Sequence, residues 1–317
     1  MKHYLIHPLQ KRGSRHSFCQ DYYVTAHHEK RMILVVSDGH GAATYTRSGW
    51  GANFACNAMV EVLQSGIAPA DVPAAVKDLY DVLVAEHLAE HPLADWEVER
   101  VGNDPHCAVY GATLLAACIT PNGTDLYQLG DGEIHALDAS GSFLPALPED
   151  ELCRGNLTTS IAHNRDFALK HFRTMHYDAP VTAIMLMSDG CDGGFLRTAN
   201  ALSDTPQLEN TLRAMLRTTD RGDDQTVLLA YDPGAVNTED FHHGLTDAVL
   251  EAQKKARRAR KAMRELEELE QLRCFLNLAY RNIERMRAES NPRLQAYADS
   301  LVPSYERFMQ LSEKIQK

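Results

Sequence analysis

Over its first 235 positions the chain alternates short apolar runs, helical apolar stripes and stretches rich in Gly, Pro, Asn and Asp. The runs RMILVV at 31–36, VTAIMLM at 181–187 and TVLLAY at 226–231 are almost wholly apolar, which predicts strands buried on both faces. ATLLAACI at 112–119, DLYQLGD at 125–131 and EIHALD at 133–138 are also strand-like, and PNG at 121–123 supplies a turn between the first two. One helix is expected where Trp50, Phe54, Ala58 and Val62 fall four apart, with Cys56, Met59 and Leu63 alongside. A second opens with Asp71 as candidate N-cap and Pro73 in its first turn, and carries Val72, Val76, Leu79, Leu83 and His87 along one face. A shorter one spans about 207–217, on Leu208, Leu212, Met215 and Leu216. Strands grouped with strands, and helices with helices, predict a layered α+β unit.

The pattern changes near 236. From 241 to 289 there is almost no Gly or Pro, and KKARRARK at 254–261 gives way to ELEELEQL at 265–272, then to Leu276, Ala279, Ile283 and Met286. SNP at 290–292 ends that helix, because the residue before a proline avoids the α region. A second helical stretch over 293–316 completes a hairpin, so the chain divides into residues 1–235 and a helical extension at 236–317. The basic run reads as a solvated face balanced by the following glutamates. The Leu and Met stripe reads as packing, or as a contact with a partner or a second copy. No sustained heptad marks a coiled coil.

Composition narrows the setting. The seven cysteines, at 19, 56, 107, 118, 153, 191 and 274, form no CxxC pair, which suits reduced thiols in a cytoplasmic protein rather than a disulfide framework or a zinc site. The first residues lack the apolar core of a signal peptide, and no stretch is long and apolar enough to span a bilayer, so no membrane partner is expected. A formal net charge of −11 opposes non-specific nucleic-acid binding. An anionic substrate remains open, because bound divalent cations reverse a local field.

The candidate chemistry lies in four short acidic segments: CQD at 19–21, SDGHG at 37–41, SDG at 188–190 and GDDQT at 222–226. Three of them adjoin the apolar runs, where Asp beside Gly suits a loop that presents a carboxylate. Several such loops brought together would repel one another unless a hard cation neutralised them, and Mg²⁺ or Mn²⁺ with oxygen ligands does so. The segments therefore point to a metal-dependent hydrolase.

Taken in order, QD, DGHG, GAT, LGDG, SDG and DDQT resemble the metal-dependent serine/threonine phosphatases of the protein phosphatase 2C family, over roughly residues 10–232. The resemblance implies a four-layer α/β/β/α sandwich of two antiparallel sheets flanked by helices, with two Mn²⁺ or Mg²⁺ ions at one edge. It makes Asp38 the carboxylate shared by both metals and gives one of them the carbonyl of Gly39. Asp189 and Asp223 hold the other, and Asp21 stands beside the second metal, directly or through a water. His40 takes the place of a proposed general acid. Asp131, in LGDG, matches a third, weaker site shared with Asp189, although a plain turn aspartate explains it equally well. Thr113, in GAT, is expected to be structural.

Three departures matter. The family's phosphate-gripping Arg five residues before the QD aspartate is His16 here, which leaves Arg15 as the leading phosphate ligand, with Arg12 and His16 behind it. The acidic residue that usually follows SDG falls one position early, at Asp192, and is given no role. The last motif has Asp223–Asp224 in place of an Asp-Asn pair, with Asp223 favoured by register. Residues 143–178 lie where the family keeps a variable flap and read as a lid or as a long connection. The implied partners are proteins phosphorylated on Ser or Thr, together with a cognate kinase. Two rivals stand beside this reading. One is a catalytically weak relative that acts as a binding module through its C-terminal helices. The other is a two-metal nuclease, which needs a basic channel that the acidic first 235 residues do not advertise.

Overall fold

Side chains alternate faces along a strand, so a strand covered on both sides must be apolar at nearly every position. Nine strands form two antiparallel sheets in the computed structural model, which describes residues 3–153, 157–191, 194–218, 222–288 and 292–315. Along the chain they are β1 (Leu5–Lys11), β2 (Tyr22–His28), β3 (Arg31–Ser37), β4 (Leu114–Thr120), β5 (Gly123–Leu129), β6 (Glu133–Leu137), β7 (Arg173–Tyr177), β8 (Ala183–Met187) and β9 (Gln225–Tyr231). One sheet has the order β1-β9-β8-β6 and the other β2-β3-β4-β5-β7. The apolar runs form their middles, and the turn at Pro121–Asn122 joins β4 to β5 with Thr120 opposite Gly123.

The alternation builds three buried layers. Met32, Leu34 and Val36 of β3 meet Ile184, Leu186 and Leu228 between the sheets. Ile33 and Val35 point the other way, towards α1 (Ser48–Ser65) and α2 (Val72–Glu90). On the opposite outer face Met185, Met187 and Leu229 lie under α5 (Phe195–Ala201) and α6 (Thr205–Thr218). Shorter helices, α3 (Asp95–Val101) and α4 (Arg165–His171), complete the covering. This is the expected four-layer sandwich.

Both long helices differ in detail from their sequence reading. In α1 the buried side is Ala52, Ala55, Ala58, Met59 and Val62, while Trp50 is 54% exposed. Small residues win because the helix presses on its neighbours: a Cβ at Gly51 would lie 1.8 Å from the Tyr110 carbonyl oxygen. In α2 the buried line is Val72, Val76, Tyr80 and Val84, with Leu79 and Leu83 flanking it. Asp71 holds the N-cap position, but its side chain makes no capping hydrogen bond. The 143–178 stretch also acquires structure, since its last part forms α4 and β7, and β7 pairs with β5.

The chain divides into two compact units, Met1–Ala248 and Val249–Lys317. The first includes the opening turns of α7 (Glu239–Ala288), where Phe241 and Leu245 join the core beneath the four-stranded sheet. The composition break near 236 thus marks where a helix begins, and the first core runs past it. In the second unit the rest of α7 and α8 (Leu294–Ile315) form an antiparallel hairpin, tied by Arg307 to Glu268 at 2.8 Å and by Lys314 to Glu265. Those glutamates therefore serve the returning helix, and the run 254–261 is exposed along its length. Leu269, Leu272, Leu276, Ala279, Ile283 and Met286 of α7, at alternating three- and four-residue steps, are all half-buried or buried, a heptad seam that the sequence reading did not resolve. No helix among the described residues is long and apolar enough to cross a membrane, and all seven cysteines are unpaired.

Candidate active site

The acidic segments meet at one end of the sandwich. β3 ends at Ser37, so Asp38 follows directly, and Thr113 clamps it from both sides: the Asp38 amide donates to Thr113 Oγ1 at 3.0 Å, and the Thr113 amide to the Asp38 carbonyl at 2.8 Å. Gly39 must be glycine, because a Cβ there would lie 2.7 Å from the Gln20 carbonyl oxygen and 2.9 Å from Ser48. On the neighbouring sheet Asp189 follows β8 and Asp223 precedes β9. These two loops touch closely enough that a Cβ at Gly190 would fall 1.9 Å from the Asp224 carbonyl oxygen.

Asp38, Asp131, Asp189 and Asp223 line one cavity of about 350 Å³, together with His40, Tyr45, Leu157 and Thr158. Asp21 lies behind Asp38, buried, and accepts a hydrogen bond from Ser188 Oγ at 2.9 Å through Oδ2. Burial pushes its carboxyl up to about 7, against the hydrogen bonds from Thr226 and Ser188. Asp38 is held well above the usual carboxylate range, first by burial and then by Asp21 and Asp189. Asp223 and Asp131 are raised too, by burial and by the charge of Asp189. Five carboxylates from distant segments thus resist sharing negative charge in one place.

The second aspartate of DDQT has a different task. Asp224 accepts hydrogen bonds from the amides of Gly13 at 2.7 Å and Gln20 at 2.6 Å, and its Oδ2 lies 2.9 Å from His16 Nδ1. It is buried and fixes the loop between β1 and β2, which leaves Asp223 to face the cavity. His16 spans the gap, with Nε2 3.9 Å from Asp223 Oδ1. Arg15 is exposed beside Gly222, whose lack of a Cβ leaves room for it: a Cβ there would lie 2.5 Å from Arg15 Nε. Arg15 is not among the residues that line the cavity. Arg12 turns back on its own loop, donating to the Ser17 carbonyl at 2.8 Å. Asp192 lies outside the described residues.

His40 is held neutral. Burial, with His163 nearby, pulls its imidazole down to about 4, and its Nε2 is buried without a hydrogen-bond partner. Its ring meets that of Tyr45 edge-on at 4.9 Å. The 143–178 stretch contributes a wall: Thr158 Oγ1 donates to Asp131 Oδ1 at 2.8 Å, the Gly130 amide donates to Thr159 Oγ1 at 3.0 Å, and the Ile161 amide to the Ala112 carbonyl at 2.9 Å. Arg173 Nη1 donates to the Pro148 carbonyl at 2.8 Å, and Nη2 to that of Gly130. Tyr45, Thr158 and Arg173 carry no motif of their own, and nothing in the sequence singled them out.

A profile of the family Protein phosphatase 2C matches residues 10–230. The chain belongs to that family. Membership supports a serine/threonine phosphatase. Solved structures agree on the fold. A bacterial serine phosphatase is 12% identical with a TM-score of 0.52, covering 73% of this chain and 98% of its own. PppA, described as a key regulatory component of T6SS in Pseudomonas aeruginosa, is 16% identical with a TM-score of 0.51, covering 72% and 97%. The catalytic domain of the serine threonine protein phosphatase PstP, in complex with two manganese ions, is 16% identical with a TM-score of 0.50 over the same shares. No curated protein sequence matches the chain significantly.

The donor set of this 2C-type fold suits hard cations. All five carboxylates offer oxygen, and Asp21 Oδ1 is a buried acceptor with no hydrogen-bond partner. Among the described residues no three His, Cys, Asp or Glu side chains close around a single point.

Proposed function

We propose that the chain is a protein serine/threonine phosphatase that hydrolyses phosphomonoesters with two Mn²⁺ or Mg²⁺ ions. The observation that carries this is Asp38, buried among Asp21, Asp189 and Asp223, with its carboxyl pushed well above the usual carboxylate range by burial and by their charges. Divalent cations are the natural compensation for such a cluster. In this reading Asp38 would be shared by the two ions, the Gly39 carbonyl would serve one, Asp189 and Asp223 the other, and Asp21 would stand beside the second. Asp131, with Asp189, would hold a third, weaker ion if it does more than turn the chain. The bound pair would lower the pKa of a shared water towards neutrality and so supply a nucleophile for in-line attack on phosphorus.

The remaining steps belong to the chain. Arg15 swings over Gly222 to grip two phosphate oxygens, as a planar guanidinium does well. A phosphate dianion in the cavity raises the pKa of His40, since opposite charge favours the imidazolium, and His40 then gives its proton to the departing alkoxide. Tyr45 restricts the ring that does this. Substrates are Ser/Thr-phosphorylated proteins made by a cognate kinase, in a reducing cytoplasm that suits seven free thiols.

A weak, phosphatase-like binding module is the second reading, and Arg15, which stands outside the cavity lining, favours it. Hydrolysis of p-nitrophenyl phosphate and of a phosphothreonine peptide separates the two. The phosphatase reading expects turnover only with added Mn²⁺ or Mg²⁺, abolished by EDTA and nearly abolished by Asp38→Asn. Full activity in EDTA or in Asp38→Asn sinks the mechanism, and Mn²⁺ binding without turnover leaves the module.

A further inference from the structure

The helical hairpin of the second unit has an open core. Among its described residues only Ala279, Leu301 and Leu311 are buried apolar side chains, against nine large ones that are exposed. Part of that exposed surface is organised. Leu276, Tyr280 and Ile283 of α7 and Leu301, Val302 and Tyr305 of α8 line a groove of about 470 Å³ between the two helices. Tyr280 is 62% exposed, Tyr305 56% and Val302 49%. The stripes continue at heptad spacing, from Leu266 through Arg273 to Tyr280 on α7, and from Val302 to Met309 on α8, where Leu266 and Met309 are exposed too. Arg273 is the one charged residue lining the groove, and it is already paired with Glu270 at 2.9 Å. A charged peptide would find little to bind here, whereas an apolar helical stripe would fit.

We infer that this groove is a homodimer interface, in which a second copy of the hairpin lays its α8 stripe of Val302, Tyr305 and Met309 on the α7 stripe of the first, closing a four-helix bundle. Three observations favour a second copy over another occupant. The two stripes flank one groove and so are level with each other: α7 and α8 run antiparallel with Asn282 near Tyr297 and Glu268 paired with Arg307, which sets Val302 beside Asn277. A two-fold axis along the helices then matches α8 to α7 twice over and makes every neighbouring pair of helices antiparallel, as in up-down bundles. Aromatic side chains such as Tyr280 and Tyr305 bury roughly 150–250 Å² each. Half-exposed, and joined by Leu266, Val302 and Met309, they would cover on the order of 1,000 Å² over two copies, the least that a specific interface needs. No lone charge has to be desolvated on closing. The inference stands independently of the proposed chemistry in the first unit.

Sedimentation of the full chain tests it. The expected species at micromolar concentration has twice the 35.4 kDa chain mass. Val302→Glu with Tyr305→Glu, and separately Tyr280→Glu, should weaken the dimer about tenfold or more, as loss of a central apolar anchor does. Leu278→Glu, some 200° round α7 from Tyr280, should leave it intact, with an unchanged Tm reporting an intact fold. A second measurement does not depend on tolerance of a buried charge. Mixed Asn277→Cys and Val302→Cys chains, one of them tagged, should form a hetero-disulfide well above the level given by Leu278→Cys with Val302→Cys. A monomeric wild type, a dimer that survives the groove substitutions, equal dissociation by Leu278→Glu, or no excess of the hetero-disulfide overturns the inference.

Discussion

In the first unit Asp21, Asp38 and Glu97 are 4%, 9% and 5% exposed, and each meets partners drawn from distant parts of the chain. In the hairpin Glu268 stands on the surface, matched to Arg307 of the next helix, and Glu265, 19% exposed, is matched to Lys314. The residue types are the same and the surroundings are not. A buried carboxylate must be compensated where it lies, by a cation, a donor or its own proton, so it is informative wherever it occurs. A surface carboxylate is already compensated by water and fixes little. Even among the buried ones the solutions differ. Glu97 takes Arg47 Nη2 at 2.7 Å, Arg47 Nε at 2.9 Å and Thr46 Oγ1 at 2.8 Å, and the Arg47 bonds hold it down at about 2 despite burial. Asp38 has no such cation and is pushed up.

Removing a buried partner should show the largest effect on stability. Glu97→Ala leaves the half-buried Arg47 without its carboxylate, although Arg47 still reaches the Pro92 carbonyl and Tyr110. A loss of about 3–5 kcal/mol is expected by denaturant unfolding. A loss under about 1 kcal/mol would place Glu97 with the surface pairs and erase the contrast.

The pH dependence of the metal-free protein sharpens the same contrast, because the two kinds of buried carboxylate have opposite signs. Glu97, depressed to about 2, contributes fully above the unfolded value of 4.5 and loses that contribution only as pH falls towards 2. Asp21, raised to about 7, and Asp38, raised well above 3.8, keep protons in the folded chain that the unfolded chain has released. The contribution of these two aspartates therefore falls as pH rises from about 4.5 to about 7, where Glu97 is constant, while His40, depressed to about 4, contributes with the opposite sign up to about 6.5. The aspartates are isolated by difference: in EDTA at fixed ionic strength, the Tm of Asp38→Asn relative to the unsubstituted chain should rise across that window, and added Mn²⁺ should raise Tm at neutral pH. A difference in Tm that stays flat or falls across the window contradicts the cluster's electrostatics.

What could be read from the sequence follows the same division. β3, β4, β8 and β9 were legible because burial on both faces leaves an unbroken apolar run. β2 and β7 are the edges of their sheet and only half-buried, and β1 is an edge carrying Pro8, so their patterns dissolve into polar sequence. The helices α3, α4 and α5, of seven residues each, are too short to show a period. In the site, the aspartates stood out because Asp beside Gly at a strand end is poor strand chemistry. Their supports did not: Arg47 finds Glu97 fifty residues on, Asp224 ties the loop at 13–20, and Thr158 reaches Asp131 from a stretch with no period. Such contacts are set by tertiary approach, which one sequence does not encode locally.

Asp131 lies between the two extremes, half-buried, with one oxygen on Thr158. If it helps to hold a weak third ion, Asp131→Ala should leave the tight metal pair and the fold intact while reducing kcat on phosphopeptides, by less than Asp38→Asn does. Raising Mn²⁺ should recover little, because a cation held by one or two carboxylates binds loosely yet still neutralises charge developing at phosphorus. If Asp131 only turns the chain from β5 to β6, Tm falls and kcat in the folded fraction is normal. Measuring kcat, bound metal and Tm on one preparation separates these outcomes.

The smallest effect is expected where the geometry looks best. Arg307 meets Glu268 with two bonds, Nε to Oε1 at 2.8 Å and Nη2 to Oε2 at 3.0 Å, a paired fork that in the interior would be a strong contact. Both side chains are exposed, so water already solvates each charge, salt screens their attraction and two flexible side chains lose freedom to meet. Glu268→Gln should leave Tm and the salt dependence of Tm unchanged within error, in a chain where Glu97→Ala is damaging. The hairpin's cohesion then rests on its apolar seams, and its charges keep it soluble. A clear drop in Tm for Glu268→Gln, deepened at low salt, would mean that this pair is dehydrated in solution. The division between the compensated interior of the first unit and the hydrated surface of the second would then have to be redrawn at α8.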